Sequence, residues 1–315
     1  MSEEQVSLDE VKKWADDLLD AVHVIATGPN KYKSTTFARI VEASFRRDYL
    51  TLSTIRRLSD GKPEELIIYG SSCMDLFRRV FEDLISLEYM IMKGKDDMAK
   101  KFRNFLFVED KKTMEYLESG GVKMDPKRKK EIEDNYEKVK KDFFDKSSMM
   151  RWKTWLETIE YLKSKGVGIT NDVESQLEVD FDEKYPDKGE KVRKSWAGLD
   201  VENMVIELAQ NKVIQDDEVK SMLETYRIGN SKNHFSPTDL INYLYEDLFN
   251  NSNTQDIKLS LLLVTMNLSR ISSIAISELD FANKAVVEKK VDEIWGEISK
   301  AHLPSEEKVD DKATS

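Results

Sequence analysis

Leu76-Phe77-Arg78-Arg79-Val80-Phe81-Glu82-Asp83-Leu84-Ile85 decides the fold class of this chain. Its apolar residues, Leu76, Phe77, Val80, Phe81, Leu84 and Ile85, recur at the spacing that gathers them into one broad helical stripe. Its charges follow the same period: Arg78 and Glu82 stand four apart, as do Arg79 and Asp83, so each pair shares a face. The spacing predicts a helix over about 63–92. Pro63 sits at its first position, where the missing N–H costs nothing, and Gly94 ends it.

Helix starts and stops recur on both sides of this segment. Ser7-Leu8-Asp9-Glu10 is a capping box, and Val11, Trp14, Leu18, Leu19 and Val22 follow at helical spacing until Gly28-Pro29-Asn30. Further helices are expected over about 34–58 and 97–117. Trp152 and Trp155 open another, and Asn171-Asp172-Val173-Glu174 is a second capping box. Asp200 and Asp216 cap two short helices, and Ser236-Pro237-Thr238-Asp239 starts the next. A long apolar helix is expected from Ser252 to about Phe281, and a last one carries Val286, Val287, Val291, Ile294, Trp295 and Ile298. No segment reads as a strand. The expected fold is all-α: a multi-helix, mainly antiparallel bundle forming one extended domain over 1–302, with a disordered acidic tail over 303–315.

Residues 125–146 are the most densely charged segment. Lys127-Arg128-Lys129-Lys130 opens it, and Glu131, Glu133, Asp134 and Glu137 follow. A basic helix start opposes the macrodipole, so this segment is expected to be a solvated helical projection, inserted into the bundle.

Composition bounds the function. With 315 residues and 40% of them hydrophobic, the chain can bury a core; 12 Gly and 6 Pro leave room for few turns. The formal net charge of −11 opposes non-specific association with nucleic acid or anionic membrane, because the summed field repels phosphate. Cys73 is the only cysteine, which excludes an intramolecular disulfide and a thiolate metal cluster, and it reads as a small core residue. Met1-Ser2-Glu3-Glu4 shows neither a basic n-region nor an apolar h-region, so no signal peptide is expected. The apolar run Leu259–Leu268, broken by Ser260 and Asn267 and followed by Arg270, reads as a buried helix too short to span a bilayer. A cytoplasmic protein without membrane contact is the expectation.

Several chemistries find no support. Gly166-Val167-Gly168 lacks a third glycine, and no His-Glu-x-x-His occurs among the three scattered histidines, His23, His234 and His302. Asp180 and Asp182 begin like a calcium loop, but Lys184 stands where the third ligand belongs. No metal and no cofactor is expected. Arg46 and Arg57, eleven apart, lie on nearly one side of their helix; with Arg47, Arg56, Arg78 and Arg79 they either build a phosphate-binding face or pair with acids on neighbouring helices.

The strongest polar cluster is the hinge Tyr226-Arg227-Ile228-Gly229-Asn230-Ser231-Lys232-Asn233-His234-Phe235-Ser236-Pro237. His234 lies just before a helix start, whose dipole disfavours the imidazolium. A neutral imidazole can take a proton from a hydroxyl, and an arginine can stabilise the oxyanion or phosphate that results. The pairing of His234 with Arg227 suits metal-independent cleavage of RNA by its own 2′-hydroxyl. The same residues also suit loop architecture, with His234 bonded to a backbone carbonyl and Tyr226 and Arg227 packed across the turn.

Tyr226, Ser231, His234 and Ser236, together with Arg78 and Glu82 and with Trp196 in Ser195-Trp196-Ala197-Gly198, resemble the spaced motifs of an uncharacterised prokaryotic all-helical family, one of the numbered domains of unknown function. The resemblance spans about residues 34–250. It implies an all-α fold and a polar cluster of Arg78, Glu82, Tyr226 and His234, with no assigned activity. A looser resemblance is to HEPN-type nuclease domains, which carry an Arg and a His with four to six residues between them. Arg227 and His234 match that pattern, and Ile228 departs from it where a polar residue is usual. That resemblance implies a homodimer acting on RNA in stress or phage defence, with His234 and Arg227 catalytic and Tyr226 and Glu82 orienting. Two functions therefore stand at this point. One is a non-catalytic helical module binding another protein or a small ligand, with Tyr226, Ser231, Arg78 and Glu82 as binding residues. The other is a HEPN-like endoribonuclease.

Overall fold

α1 (Leu8–Thr27) begins as its capping box requires: the Ser7 hydroxyl accepts from the Glu10 N–H, and the Glu10 carboxylate accepts from the Ser7 N–H at 2.8 Å. The computed structural model describes residues 6–28, 31–32, 35–143, 163, 195–215, 219–220, 222–224, 226–227 and 246–302. Its further elements are β1 (Lys31–Tyr32), α2 (Thr36–Leu58), α3 (Pro63–Lys93), α4 (Lys95–Ser119) and α5 (Pro126–Val139), which runs into a 3₁₀ turn at Lys140–Phe143. They continue with α6 (Val201–Gln210), α7 (Glu246–Glu278), β2 (Leu279–Asp280) and α8 (Lys284–His302). Residues 222–224 and 226–227 are also helical. Of the described residues 84% are helical, so the fold is all-α.

The chain divides into two compact units, one built from 1–96 and 201–315, the other from 97–200. In the first unit α7 packs most extensively on α3 and also lies against α2, α1 and α8. Its apolar residues Ile257, Leu261, Val264, Leu268, Ile271 and Ala275 are fully buried. The segment Gln255–Glu278 is long and apolar enough to cross a membrane, and 67% of its most apolar window is buried inside this bundle. Its hydroxyls are not left bare. Ser260, Thr265 and Ser272 each donate to the carbonyl four residues back, at 2.7, 2.7 and 2.6 Å. These bonds let the three hydroxyls sit in an apolar core without an unmet donor. Arg270 of α7 reaches Glu88 of α3 at 2.7 Å, tying the two central helices by a largely buried ion pair.

No strand was expected, yet Lys31–Tyr32 pairs antiparallel with Leu279–Asp280. The pairing joins the residues just after α1 to those just after α7 and is too short to have a pattern in sequence. Gly94, at φ 103°, turns the chain between α3 and α4, a conformation that favours glycine.

In the second unit α5 begins at an Asp125 cap whose carboxylate accepts from the N–H groups of Lys127 and Arg128. The capping carboxylate offsets the basic start that sequence marks as unfavourable. Lys129 is bound to Glu118 at 2.7 Å and Arg128 to Glu131 at 2.9 Å. Only Ile132 and Val139 of α5 are buried, as expected of a solvated charged helix. Phe105 meets Phe143 edge-on at 5.3 Å, and Phe102 meets Trp196 edge-on at 5.4 Å. The helix expected at Trp152 and Trp155, the capping box at Asn171, and the Asp180 and Asp182 loop lie outside the described residues, as do the Asp216 cap, residues 228–245 and the 303–315 tail.

Candidate functional site

The α3 stripe that buries Phe77, Val80, Phe81, Leu84 and Ile85 carries Arg78 and Glu82 one turn apart at its margin. Arg78 Nε donates to Glu82 Oε1 at 2.8 Å. The same oxygen accepts from the Tyr226 hydroxyl at 3.1 Å. The Tyr226 ring is buried against Phe81, with centroids 5.4 Å apart, and the Arg78 guanidinium lies over that ring at 5.8 Å. Glu82 thus holds two donors at once, one from its own helix and one from 144 residues away. Arg78 and Glu82 remain 32% and 35% exposed, so the pair is anchored from behind and open to solvent in front.

Three of the residues singled out in sequence therefore meet: Arg78, Glu82 and Tyr226. Arg227 follows Tyr226 and goes elsewhere. It stands 63% exposed and forks onto Glu202 of α6 at 2.9 and 3.3 Å. Ser231 and His234 lie outside the described residues.

The arginines of α2 are mostly engaged by acids. Arg46 binds Glu42 at 2.8 Å and the Gly28 carbonyl at 3.0 Å; Arg56 binds Asp16 at 2.9 Å and Asp60 at 2.6 Å. Arg47 crosses to Asp83 of α3. That contact replaces the Arg79–Asp83 pairing suggested by their four-residue spacing.

Beside this contact lies a group that sequence reasoning passed over. Asp48 of α2 is fully buried, and neither of its carboxylate oxygens finds a donor. It meets the Asp83 carboxyl, with which it hydrogen-bonds when one proton lies between them. Burial, with the charge of Asp83 adding to it, pushes the Asp48 carboxyl up to about 9. Burial raises Asp83 as well, against the pull of Arg47. One proton shared by two acids resolves both findings. The signal was present: Phe45, Asp48, Leu52 and Ile55 fall on one helical stripe, and an acid in such a stripe is either a misread period or a buried carboxyl.

Cys73 is buried and its thiol is pushed up to about 12 by that burial, so it is inert at neutral pH. Among the described residues no group of three or more His, Cys, Asp and Glu side chains is placed to hold a metal ion. The arrangement offers an exposed, pre-oriented guanidinium on an aromatic ring, next to a buried acid pair. No curated protein and no solved structure matches the chain. A family model does match, over residues 39–252, a span that contains Arg78, Glu82 and Tyr226; the chain belongs to DUF5677, a family of unknown function.

Proposed function

We propose that the protein is a binding module for a small phosphate-bearing ligand, recognised at Arg78, Glu82 and Tyr226. One observation carries this reading: Glu82 Oε1 accepts from Arg78 Nε and Tyr226 Oη together, which fixes a one-third-exposed guanidinium over the Tyr226 ring. A guanidinium held by its Nε, and also in contact with the Tyr226 hydroxyl, still turns a solvent-facing edge to a phosphate. Being held before the ligand arrives, it loses less side-chain entropy on binding. The acid behind it costs affinity through its charge and returns it through orientation.

A second reading, a metal-independent endoribonuclease, rests on Arg227, which is exposed and next in the chain to Tyr226. Its pairing with Glu202 gives that reading less support than the ligand site has.

The test is calorimetric titration of the full chain with ADP and with inorganic pyrophosphate in chelator, for the parent and for Arg78→Ala. Binding by the parent and at least tenfold weaker binding by the variant is expected, the loss of about 1.4 kcal/mol or more that a charged contact carries. Equal affinities, or no heat with either ligand, would refute it. In parallel, single-stranded RNA is incubated in chelator with the parent and with His234→Ala. Cleavage by the parent alone would move the assignment to the nuclease.

A further inference from the structure

The Asp48–Asp83 pair lies at the α2–α3 interface beside the residues proposed to bind the ligand. Arg47 joins the two: it is paired with Asp83, it feels Asp48 and Glu82, and it remains 49% exposed. Arg47 from α2 and Arg78 from α3 thus both act on Glu82, one through its field and one through a hydrogen bond. Arg79 acts on Asp48 from the same turn of α3. The local balance is three guanidiniums, from Arg47, Arg78 and Arg79, against Glu82, the acid pair and Asp75, which acts on Arg78. With both acids ionised, one net negative charge opposes an anion. With one proton shared, the charges cancel.

We propose that anion binding at this site is proton-linked: the Asp48–Asp83 pair holds one proton while a phosphate group is bound between Arg47 and Arg78, and loss of that proton releases it. The inference rests on the ligand reading above. Its geometric basis is a fully buried carboxyl without a donor, set against a second carboxyl that an exposed arginine already holds. A second negative charge there would compete with the ligand for Arg47. On α1, Asp20 acts on Tyr49 and His23 is hydrogen-bonded to the Tyr49 hydroxyl at 2.9 Å. On α7, Arg270 is bound to Glu88. An anion brought close to the pair favours its protonated form, so binding and proton retention reinforce one another.

ADP is the probe, because above its last phosphate pKa of about 6 its charge no longer changes with pH. Its affinity for the full chain, measured by calorimetry from pH 7.5 to 10, is expected to fall by about tenfold between pH 8 and pH 10. Asp48→Asn carries the neutral form permanently, so its affinity is expected to stay level across the same range. Titration of the parent at pH 9 in buffers of different ionisation enthalpy is expected to show proton uptake on binding, and at pH 7.5 none; this needs no variant to fold. Level affinity in the parent, or no proton uptake at pH 9, would overturn the link while leaving the ligand site intact. No binding of ADP or pyrophosphate at any pH would overturn both.

Discussion

The Tyr226 hydroxyl donates to Glu82 at 3.1 Å, and this one bond ties the helical residues before the hinge to the middle of α3. It is a bond to a carboxylate, partly buried, with the donor ring clamped on Phe81. Bonds of that kind do more than close a contact. They also fix the position of the neighbouring residue, here the exposed Arg227.

Tyr226→Phe keeps the ring on Phe81 and removes only the donor. A loss of about 1.5 kcal/mol in urea denaturation is expected, in the range for a hydrogen bond to a charged group. The same variant should weaken ADP binding a few-fold, because Arg78 and Glu82 lose one of their restraints. Unchanged stability would mean that water replaces the hydroxyl at no cost.

Ser7→Ala removes the hydroxyl half of the α1 capping box and keeps the bond from the residue-7 N–H to the Glu10 carboxylate. About 1 kcal/mol of stability should go with it, since one N–H at the helix start loses its acceptor. The expected signature in hydrogen exchange is faster exchange of the Glu10 amide with little change at the Ala21 and Val22 amides. Uniform acceleration would show that α1 opens only with the whole unit.

Much of α1 to α4 is written in sequence because local chemistry marks their ends: a serine or threonine cap, a proline at the first turn, a glycine beyond the last. Ser7, Pro63 and Gly94 act where their positions imply, whereas the Asp125 cap offsets a start that the basic residues alone mark as unfavourable. The meeting of Arg78 and Glu82 was equally local, one helical turn. Tyr226 meeting Glu82 was not; it depends on packing between segments 144 residues apart and was reached only through resemblance to a family. Asp83 pairing with Arg47 instead of Arg79 has the same cause. Two partners were in reach, and the α2–α3 packing brought the farther one in sequence. The two-residue β pairing carries no periodicity at all, so nothing in its residues could have announced it.

Arg270→Ala should be among the more damaging single changes. The pair it makes with Glu88 is 24% and 11% exposed, and the variant leaves a carboxylate in the α3–α7 interface without its charge partner. Breaking such a pair costs about 3–5 kcal/mol, whereas replacing both members by apolar residues costs far less. Arg270→Met with Glu88→Leu should therefore be more stable than Arg270→Ala alone in urea denaturation. The reverse order would place the role of this pair outside stability.

Asp48→Asn separates the buried acid from the rest of the fold. In the unfolded chain an aspartate gives up its proton near pH 3.9, while in the folded chain Asp48 keeps it up to about 9. Between those values the folded protein binds more protons than the unfolded one, so this group makes stability fall as pH rises. The loss begins above about pH 4 and is complete above about pH 9. Asparagine matches the neutral carboxyl in shape, and its amide donates to Asp83 without needing a proton. The variant should thus resemble the parent at pH 5 and exceed it in stability at pH 9. Their difference should widen by at most roughly 1.4 kcal/mol per pH unit. Urea denaturation of both proteins at pH 5, 7 and 9 measures it, and parallel profiles would show that Asp48 is ionised in the folded state.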